Sequence, residues 1–298
     1  MSREQPSGER RPVAIFLNRA AGSAGSSRVR RAVELTRSAL DADLHITATR
    51  DPAAFADWLR ARVAPYRTVI VAGGDGSLSV AYNVLAGSDV DLGYLPAGFG
   101  NATAHLLHLP RRPEGLARIV AAGQTRPVDL VSVDGRLALF AGAGWDALVA
   151  GRFAATPATG VIGWSTSIAR SVPDLWRRAQ VEVMADGELV HEGPMQLLVV
   201  STTPWFGRGL LVNPGAHPRA GRLTLRVYAG SAPRFALDAA RWLTRAQPLA
   251  QGVQAQSVVL RRVDGGSIPV QADGDVVGEG TEWRFEIRPA ATRLIGRW

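Results

Sequence analysis

A chain of 298 residues is about twice the usual ~150-residue domain, so two domains or one large one are expected, with ample chain to bury a core. With 46% hydrophobic residues, 20% charged residues and 18 Pro the composition is that of a globular protein, and zero Cys excludes disulfides, thiolate nucleophiles and zinc-thiolate sites. All the basic residues are Arg, 34 against 26 acidic ones, and the resulting +8 admits phosphorylated ligands, anionic lipid headgroups and nucleic acid without choosing among them.

The opening MSREQPSGERRP is charged and has no apolar segment of signal-peptide length behind it, so residues 1–11 are expected to be a frayed tail on a soluble cytoplasmic protein. From Val13 onward, strand-like and helix-like runs alternate. Residues 13–17 read as a strand, the spacing of Val29, Ala32, Val33, Leu35, Ala39 and Leu40 as a helix, and residues 44–48 as a second strand. Asp51 and Pro52 open a helix over 52–63, TVIVA at 68–72 is a buried strand, and 78–85 is a helix ended by Gly87. A strand at 92–95 and a helix at 102–107 follow. This alternation predicts an α/β domain over 12–127, a mostly parallel sheet with helices on both faces.

Beyond Pro127 the pattern changes. Asp134-Gly135 and Asp186-Gly187 each separate two strand-like runs, which is a hairpin signal. Further strands are expected at 196–201, 222–228, 257–262, 268–272 and 283–287, interrupted by helices at 165–178 and 233–247. Residues 128–288 are therefore expected to form an antiparallel β-sandwich. The longest uncharged stretch, 17 residues from Phe153, contains Pro157 and falls short of the ~20 apolar residues of a membrane span.

The sharpest local feature is Gly73-Gly74-Asp75-Gly76-Ser77 between a buried strand and a helix. Three glycines in five positions remove Cβ atoms and permit positive φ, so backbone N–H groups can close around phosphate oxygens at a helix N-terminus. A tight turn with Asp75 as a helix cap is the competing reading. Neither a Walker A loop nor a GxGxxG fingerprint fits. Pro96-Ala97-Gly98-Phe99-Gly100-Asn101 and Asn18-Arg19-Ala20-Ala21-Gly22-Ser23 also follow strands, and such loops meet on one edge of a parallel sheet, where three of them outline a nucleotide site. The five His residues have no zinc-site spacing, so no metal ligands are assigned. Scattered Arg pairs without a basic-aromatic groove make nucleic acid an unexpected partner. Phe235, Ala239, Trp242 and Leu243 form a stripe that fits either a core-facing helix or one lying on a bilayer.

In these motifs the chain resembles the diacylglycerol kinase catalytic-domain family, with its bacterial soluble lipid kinases and sphingosine kinases. The family's Asn-Pro-x-Ser-Gly resembles Asn18 to Gly22, its Gly-Gly-Asp-Gly-Thr is Gly73 to Ser77, and its Pro-x-Gly-Thr-x-Asn-Asp resembles Pro96 to Ala102. Gly142-Ala143-Gly144-Trp145-Asp146-Ala147 looks like the later Gly-x-Gly-Phe-Asp-Ala, and Asp273-Gly274-Asp275 like Asp-Gly-Glu. The resemblance implies the two domains above, a cleft between them that holds ATP with Mg2+ carried on the nucleotide, and a tail, 289–298, returning to the first domain.

The resemblance also implies site residues. Asn18, Gly22, Thr49, Gly73, Gly74, Gly76, Ser77, Gly98, Phe99 and Asn101 would contact the nucleotide. For Asn18, Thr49 and Asn101, loop and cap hydrogen bonding is the alternative. Asp75 would orient magnesium or the incoming hydroxyl, or else cap the next helix. Asp275 takes the place of the family's general base, or is a hairpin turn residue. Val80, Phe99, Ala102 and Ala220 replace polar family residues, so the family's structural magnesium site does not carry over. The activity so implied is an ATP-dependent lipid kinase acting on a diacylglycerol-like or sphingoid-like alcohol. A nucleotide- or lipid-binding protein without phosphoryl transfer, and a kinase of a soluble alcohol, are the alternatives. Peripheral contact at the inner membrane face and a homodimer are left open.

Overall fold

A computed structural model describes residues 12–157 and 160–298; the tail expected at 1–11 lies outside the described residues. The first half runs β1 (Val13–Asn18), α1 (Ser27–Leu40), β2 (Asp43–Thr47), α2 (Pro52–Val63), β3 (Thr68–Gly73), α3 (Asp75–Val84), β4 (Asp91–Pro96), α4 (Ala102–Leu106) and α5 (Pro113–Ala122). The second half runs β5 (Thr125–Val133), β6 (Arg136–Ala138), β7 (Phe140–Gly144), α6 (Trp145–Ala155), α7 (Gly160–Ser171), β8 (Ala179–Ala185), β9 (Glu188–Met195) and β10 (Leu197–Ser201). It ends with β11 (Trp205–Phe206), β12 (Leu210–Leu211), β13 (Leu223–Tyr228), α8 (Ala232–Thr244), β14 (Gly252–Ala255), β15 (Ser257–Arg262), β16 (Ile268–Ala272), β17 (Asp275–Gly280) and β18 (Glu282–Ile295).

Strands β2, β1, β3 and β4 pair in parallel in that order. Their apolar runs are buried on both faces, which is why they read as continuous rather than alternating. Phe16, Val71 and Tyr94 meet α2, α3 and α4 on one face, while Ile15, Ile70 and Leu95 meet α1 and α5 on the other. The helix starts follow local chemistry: the Ser26 and Asp51 side chains accept the N–H groups of Val29 and Ala53, and Pro52 occupies the first turn of α2.

β18 carries this sheet into the second half. It pairs in parallel with β4 through Arg293 and Leu294, and antiparallel with β5 and β15; β6 beside β5, and β8 and β9 beyond β15, complete a ten-stranded sheet among the described residues. Its ladder with β5 slips between Arg288 and Thr292, where Ala290 has a φ of 49°. An antiparallel sheet in the order β14-β13-β10-β7-β16-β17 packs on this extension, with Val183, Leu198, Val200, Val258 and Phe285 in the core between them. The fold is thus the expected α/β sheet followed by a β-sandwich. The boundaries expected at 127/128 and 288/289 fall inside β5 and β18, which belong to both halves.

The Asp-Gly turns at 134–135 and 186–187 close the β5–β6 and β8–β9 hairpins, and Asp273-Gly274 closes β16–β17. All six residues have positive φ, as a type I′ turn requires. Two expected helices start elsewhere, and the open reading of a third is decided. α3 begins at Asp75 because Gly74 already serves as its N-cap. The helix expected at 165–178 is α7, starting at Gly160, followed by a 3-10 turn over Val172–Trp176 that carries Pro173. α8 turns Phe235 and Trp242 onto Tyr228 in the core, so its stripe faces inward, and only Leu243 of that stripe is exposed. Among the described residues no helix is long and apolar enough to cross a membrane.

Candidate functional site

The parallel strands β1 to β4 deliver their C-terminal ends to one edge, and the loops there are tied to one another. Asn18 Nδ2 donates to the Thr49 carbonyl at 2.9 Å and to Ser77 Oγ at 3.2 Å, joining the loops after β1, β2 and β3. Ser23 donates from N and Oγ to the Ala97 carbonyl at 2.8 and 2.9 Å, and Arg28 Nη2 donates to the Pro96 carbonyl at 3.1 Å. The two glycine loops touch backbone to backbone: a Cβ on Gly98 would lie 2.7 Å from Gly74 Cα, so only glycine permits this approach.

These loops border a cleft of about 370 Å3 lined by Asn18, Gly22, Thr49, Gly74, Gly76, Ser77 and Gly98, and closed on the other side by Phe153 and Asp275 from the second half. α3 opens onto it with no side-chain cap at Gly74, which leaves first-turn N–H groups available to an anion. Phe55, Val80 and Phe153 add an apolar wall. Of the expected contacts, Gly73, Phe99 and Asn101 do not line the cleft. Asn101 holds its own loop: Oδ1 accepts from Gly98 N and Tyr94 Oη, both at 3.0 Å, and Nδ2 donates to the Gly98 carbonyl. The Phe99 ring lies 4.6 Å from the Arg208 guanidinium, on a segment of the second half whose Arg208 N–H donates to the Gly100 carbonyl at 2.8 Å.

Two carboxylates line the cleft, Asp51, which caps α2, and Asp275; three more lie behind it. Asp275, the first residue of β17, lines the cleft and accepts from Arg136 Nη2 at 2.7 Å, which orients its carboxylate. Asp75 is half-buried and points away from the cleft, towards α4. Its oxygens accept from Ala102 N at 3.2 Å and Thr103 N at 3.4 Å, so it caps α4, not the α3 helix it begins. Burial raises its carboxyl above the usual range, against the lowering pull of those N–H groups.

Asp273 Oδ1 accepts from Leu139 N and Phe140 N at 3.0 and 3.2 Å, and the buried Ser79 hydroxyl is the carboxyl's other polar neighbour. Burial, with the Asp75 charge adding to it, lifts this carboxyl to about 8. Asp146, lifted by burial to about 7, accepts from Gln271 Nε2 at 2.9 Å, and Gln271 Oε1 in turn accepts from Gly274 N at 2.7 Å. Asp146 is thereby linked to the turn that presents Asp275. Sequence reasoning had assigned no role to Arg136, Asp146 or Gln271; only the Gly142 to Ala147 motif marked the neighbourhood of one of them. Among the described residues no three His, Asp or Glu side chains converge as a metal cage. Ala102 and Ala220 stand where two motif carboxylates would be.

The sequence model described as the diacylglycerol kinase catalytic domain matches residues 12–133, and that of the YegS C-terminal NAD kinase beta sandwich-like domain matches residues 140–296. Two curated relatives, both named diacylglycerol kinase, from Mycobacterium tuberculosis strains CDC 1551 / Oshkosh and ATCC 25618 / H37Rv, are each 49% identical over 63 residues, 21% of this chain and 20% of theirs. The match thus spans about a fifth of the curated relatives. Among solved structures, a diacylglycerol kinase from Bacillus anthracis str. Sterne is similar with a TM-score of 0.73 at 17% identity, covering 96% of this chain and 97% of its own. An NAD kinase from Archaeoglobus fulgidus in complex with ATP has a TM-score of 0.51 at 14% identity, covering 96% and 94%. At these identities the structures share a fold with this chain.

Proposed function

Because this chain belongs to the diacylglycerol kinase catalytic-domain family, we propose that it is an ATP-dependent lipid kinase, transferring the γ-phosphate to the hydroxyl of a diacylglycerol-like or sphingoid-like alcohol. The observation that carries this reading is the cleft itself, with glycine loops and an uncapped helix start on one wall and the oriented carboxylate of Asp275 on the other. Phosphoryl transfer is mostly positioning and charge stabilisation, and such walls supply both. The N–H groups at the start of α3, with Gly74, Gly76 and Ser77, hold the phosphates. ATP binding to this fold is known from the Archaeoglobus fulgidus NAD kinase complex.

In the transfer, a bond forms between the acceptor oxygen and the γ-phosphorus, and the bond from that phosphorus to the bridging oxygen breaks to release ADP. Asp275 takes the hydroxyl proton, and Arg136 keeps its carboxylate aimed across the cleft. Phe55, Val80 and Phe153 keep water from that side. Asp75 acts through α4, holding the third glycine loop against the second. Among the described residues no metal cage is built; magnesium would be carried on the nucleotide and would supply neutralisation of phosphate charge.

A second reading, a nucleotide- or lipid-binding protein without turnover, is favoured by one observation: both expected catalytic carboxylates are engaged, Asp75 on α4 and Asp275 on Arg136. The deciding experiment is transfer of radiolabelled phosphate from ATP, with magnesium, to mixed micelles of diacylglycerol, monoacylglycerol, phosphatidylglycerol, ceramide and sphingosine, alongside soluble alcohols. Label in one lipid, lost in Asp275→Ala, supports the kinase. Absence of label in every acceptor, with ATP still raising the melting temperature, supports the binding protein.

A further inference from the structure

α7 has its polarity reversed. Its inward positions are Gly163, Ser167 and Ser171, at four-residue spacing and all buried. Their hydroxyls are satisfied within the helix, Ser167 Oγ donating to the Gly163 carbonyl and Ser171 Oγ to the Ser167 carbonyl, each at 2.8 Å. Outward, the seam Ile162, Ser165, Ala169, Val172 and Trp176 runs at alternating three- and four-residue steps through the 3-10 turn, and every member is exposed. Ile162 is 73% exposed and Trp176 is 66% exposed, with Val161 beside them at 57%. A helix folded only for water would place these residues the other way round.

Three further observations identify what covers the seam. First, α7 packs on α6, and the seam, which continues into the 3-10 turn at Val172 and Trp176, stays exposed. Second, its surroundings are basic. From 160 to 178 the chain carries Arg170, Arg177 and Arg178 against a single acid, Asp174, whose carboxylate is bonded by Arg152 and lies 3.8 Å from Arg177, while Arg178 donates to the Gly230 carbonyl and Arg170 stays exposed. Third, the same hairpin borders the candidate site, since Phe153 of α6 lines the cleft. An apolar seam carrying Trp and flanked by arginines is the chemistry of a helix that lies in a lipid interface, with arginine stems reaching up to anionic headgroups.

We propose that the seam Ile162–Val172–Trp176 is a docking face for an anionic bilayer, setting the cleft beside the membrane from which the acceptor lipid comes. The proposal rests on the lipid-kinase reading for its purpose, but docking is measured without turnover. Full-length protein is sedimented with phosphatidylcholine vesicles with and without phosphatidylglycerol, comparing wild type with Ile162→Asp, Trp176→Ala and Arg170→Glu/Arg177→Glu. Wild type is expected to partition onto the phosphatidylglycerol vesicles, with the affinity falling about tenfold in each apolar variant and the charge variant losing its dependence on anionic lipid and salt.

Turnover on a dispersed short-chain lipid, below its micelle concentration, stays at the wild-type level in all three variants. If that turnover is absent while vesicle binding holds and depends on the seam, the kinase reading fails and the docking face stands. Equal partitioning of wild type and variants overturns the docking face, whatever the kinase assay gives. So does a wild-type dimer in sedimentation velocity that Ile162→Asp dissociates, because a second copy of the chain would then own the seam.

Discussion

The proton on Asp273 is held by burial, and replacing the side chain with its neutral isostere tests this directly. Its carboxyl is lifted from 3.8 to about 8, chiefly by burial, and the folded protein therefore binds a proton that the unfolded chain gives up near the ordinary value. Stability from this group is complete below pH 3.8 and is lost as pH rises towards 8. At about 1.4 kcal/mol per pH unit, and allowing for partial ionisation at each end, the loss between pH 5 and pH 7 is roughly 3 kcal/mol, or ~6 °C at ~2 °C per kcal/mol for a chain of this size. In Asp273→Asn the retained oxygen can still accept from Leu139 and Phe140, and the amide nitrogen can donate to the buried Ser79 hydroxyl beside it. Thermal unfolding followed by circular dichroism from pH 5 to pH 8 should show the variant gaining on wild type by about that amount between pH 5 and pH 7. Parallel pH profiles, or a variant less stable than wild type at pH 8, would refute the assignment of the proton to Asp273.

In Gly98→Ala the new Cβ would meet Gly74 Cα at 2.7 Å, so the two glycine loops must part; ATP should bind about tenfold more weakly by calorimetry, and unchanged affinity would mean that their contact is not part of the nucleotide site. Arg136→Ala releases the Asp275 carboxylate, and turnover should fall by about 10- to 100-fold with the ATP dissociation constant unchanged and partial rescue by Arg136→Lys. A loss confined to ATP affinity would instead place Arg136 with the phosphates. Gly142→Ala drives a Cβ to 1.7 Å from Asp146 Oδ2 and should destabilise the fold by about 2 kcal/mol or more in urea unfolding; an unaffected midpoint would mean that Asp146 has room to move.

What could be read in advance was local chemistry. Asp51 before Pro52, the Asp-Gly turns and the glycine loops act through their own backbones, so their spacing alone predicted helix starts, hairpins and one edge of a site. What could not be read depends on partners far along the chain. Arg136 and Asp275 are 139 positions apart, and neither residue type indicates that they meet. Asp75 was expected to serve its own loop or cap its own helix, yet its oxygens reach N–H groups 27 and 28 residues on. The seam on α7 was hidden for another reason. Serines at every fourth position read as a polar face, and only the packing on α6 shows that they are the buried one.

The long strand β18 also constrains how the protein can be made. Arg293 and Leu294 supply the pairing partner of β4, and Arg293 bonds Asp91 across 202 positions, so the parallel sheet of the first half is finished only when β18 is available. On a ribosome adding ~5–20 residues per second, the outer edge of β4 would wait on the order of 10 to 40 s as an open template for strand addition. A nascent or truncated chain that stops before Arg293 would carry all three glycine loops and still present that edge. Its main hazard would then be association with other chains, which makes β18 a folding signal as well as a structural element.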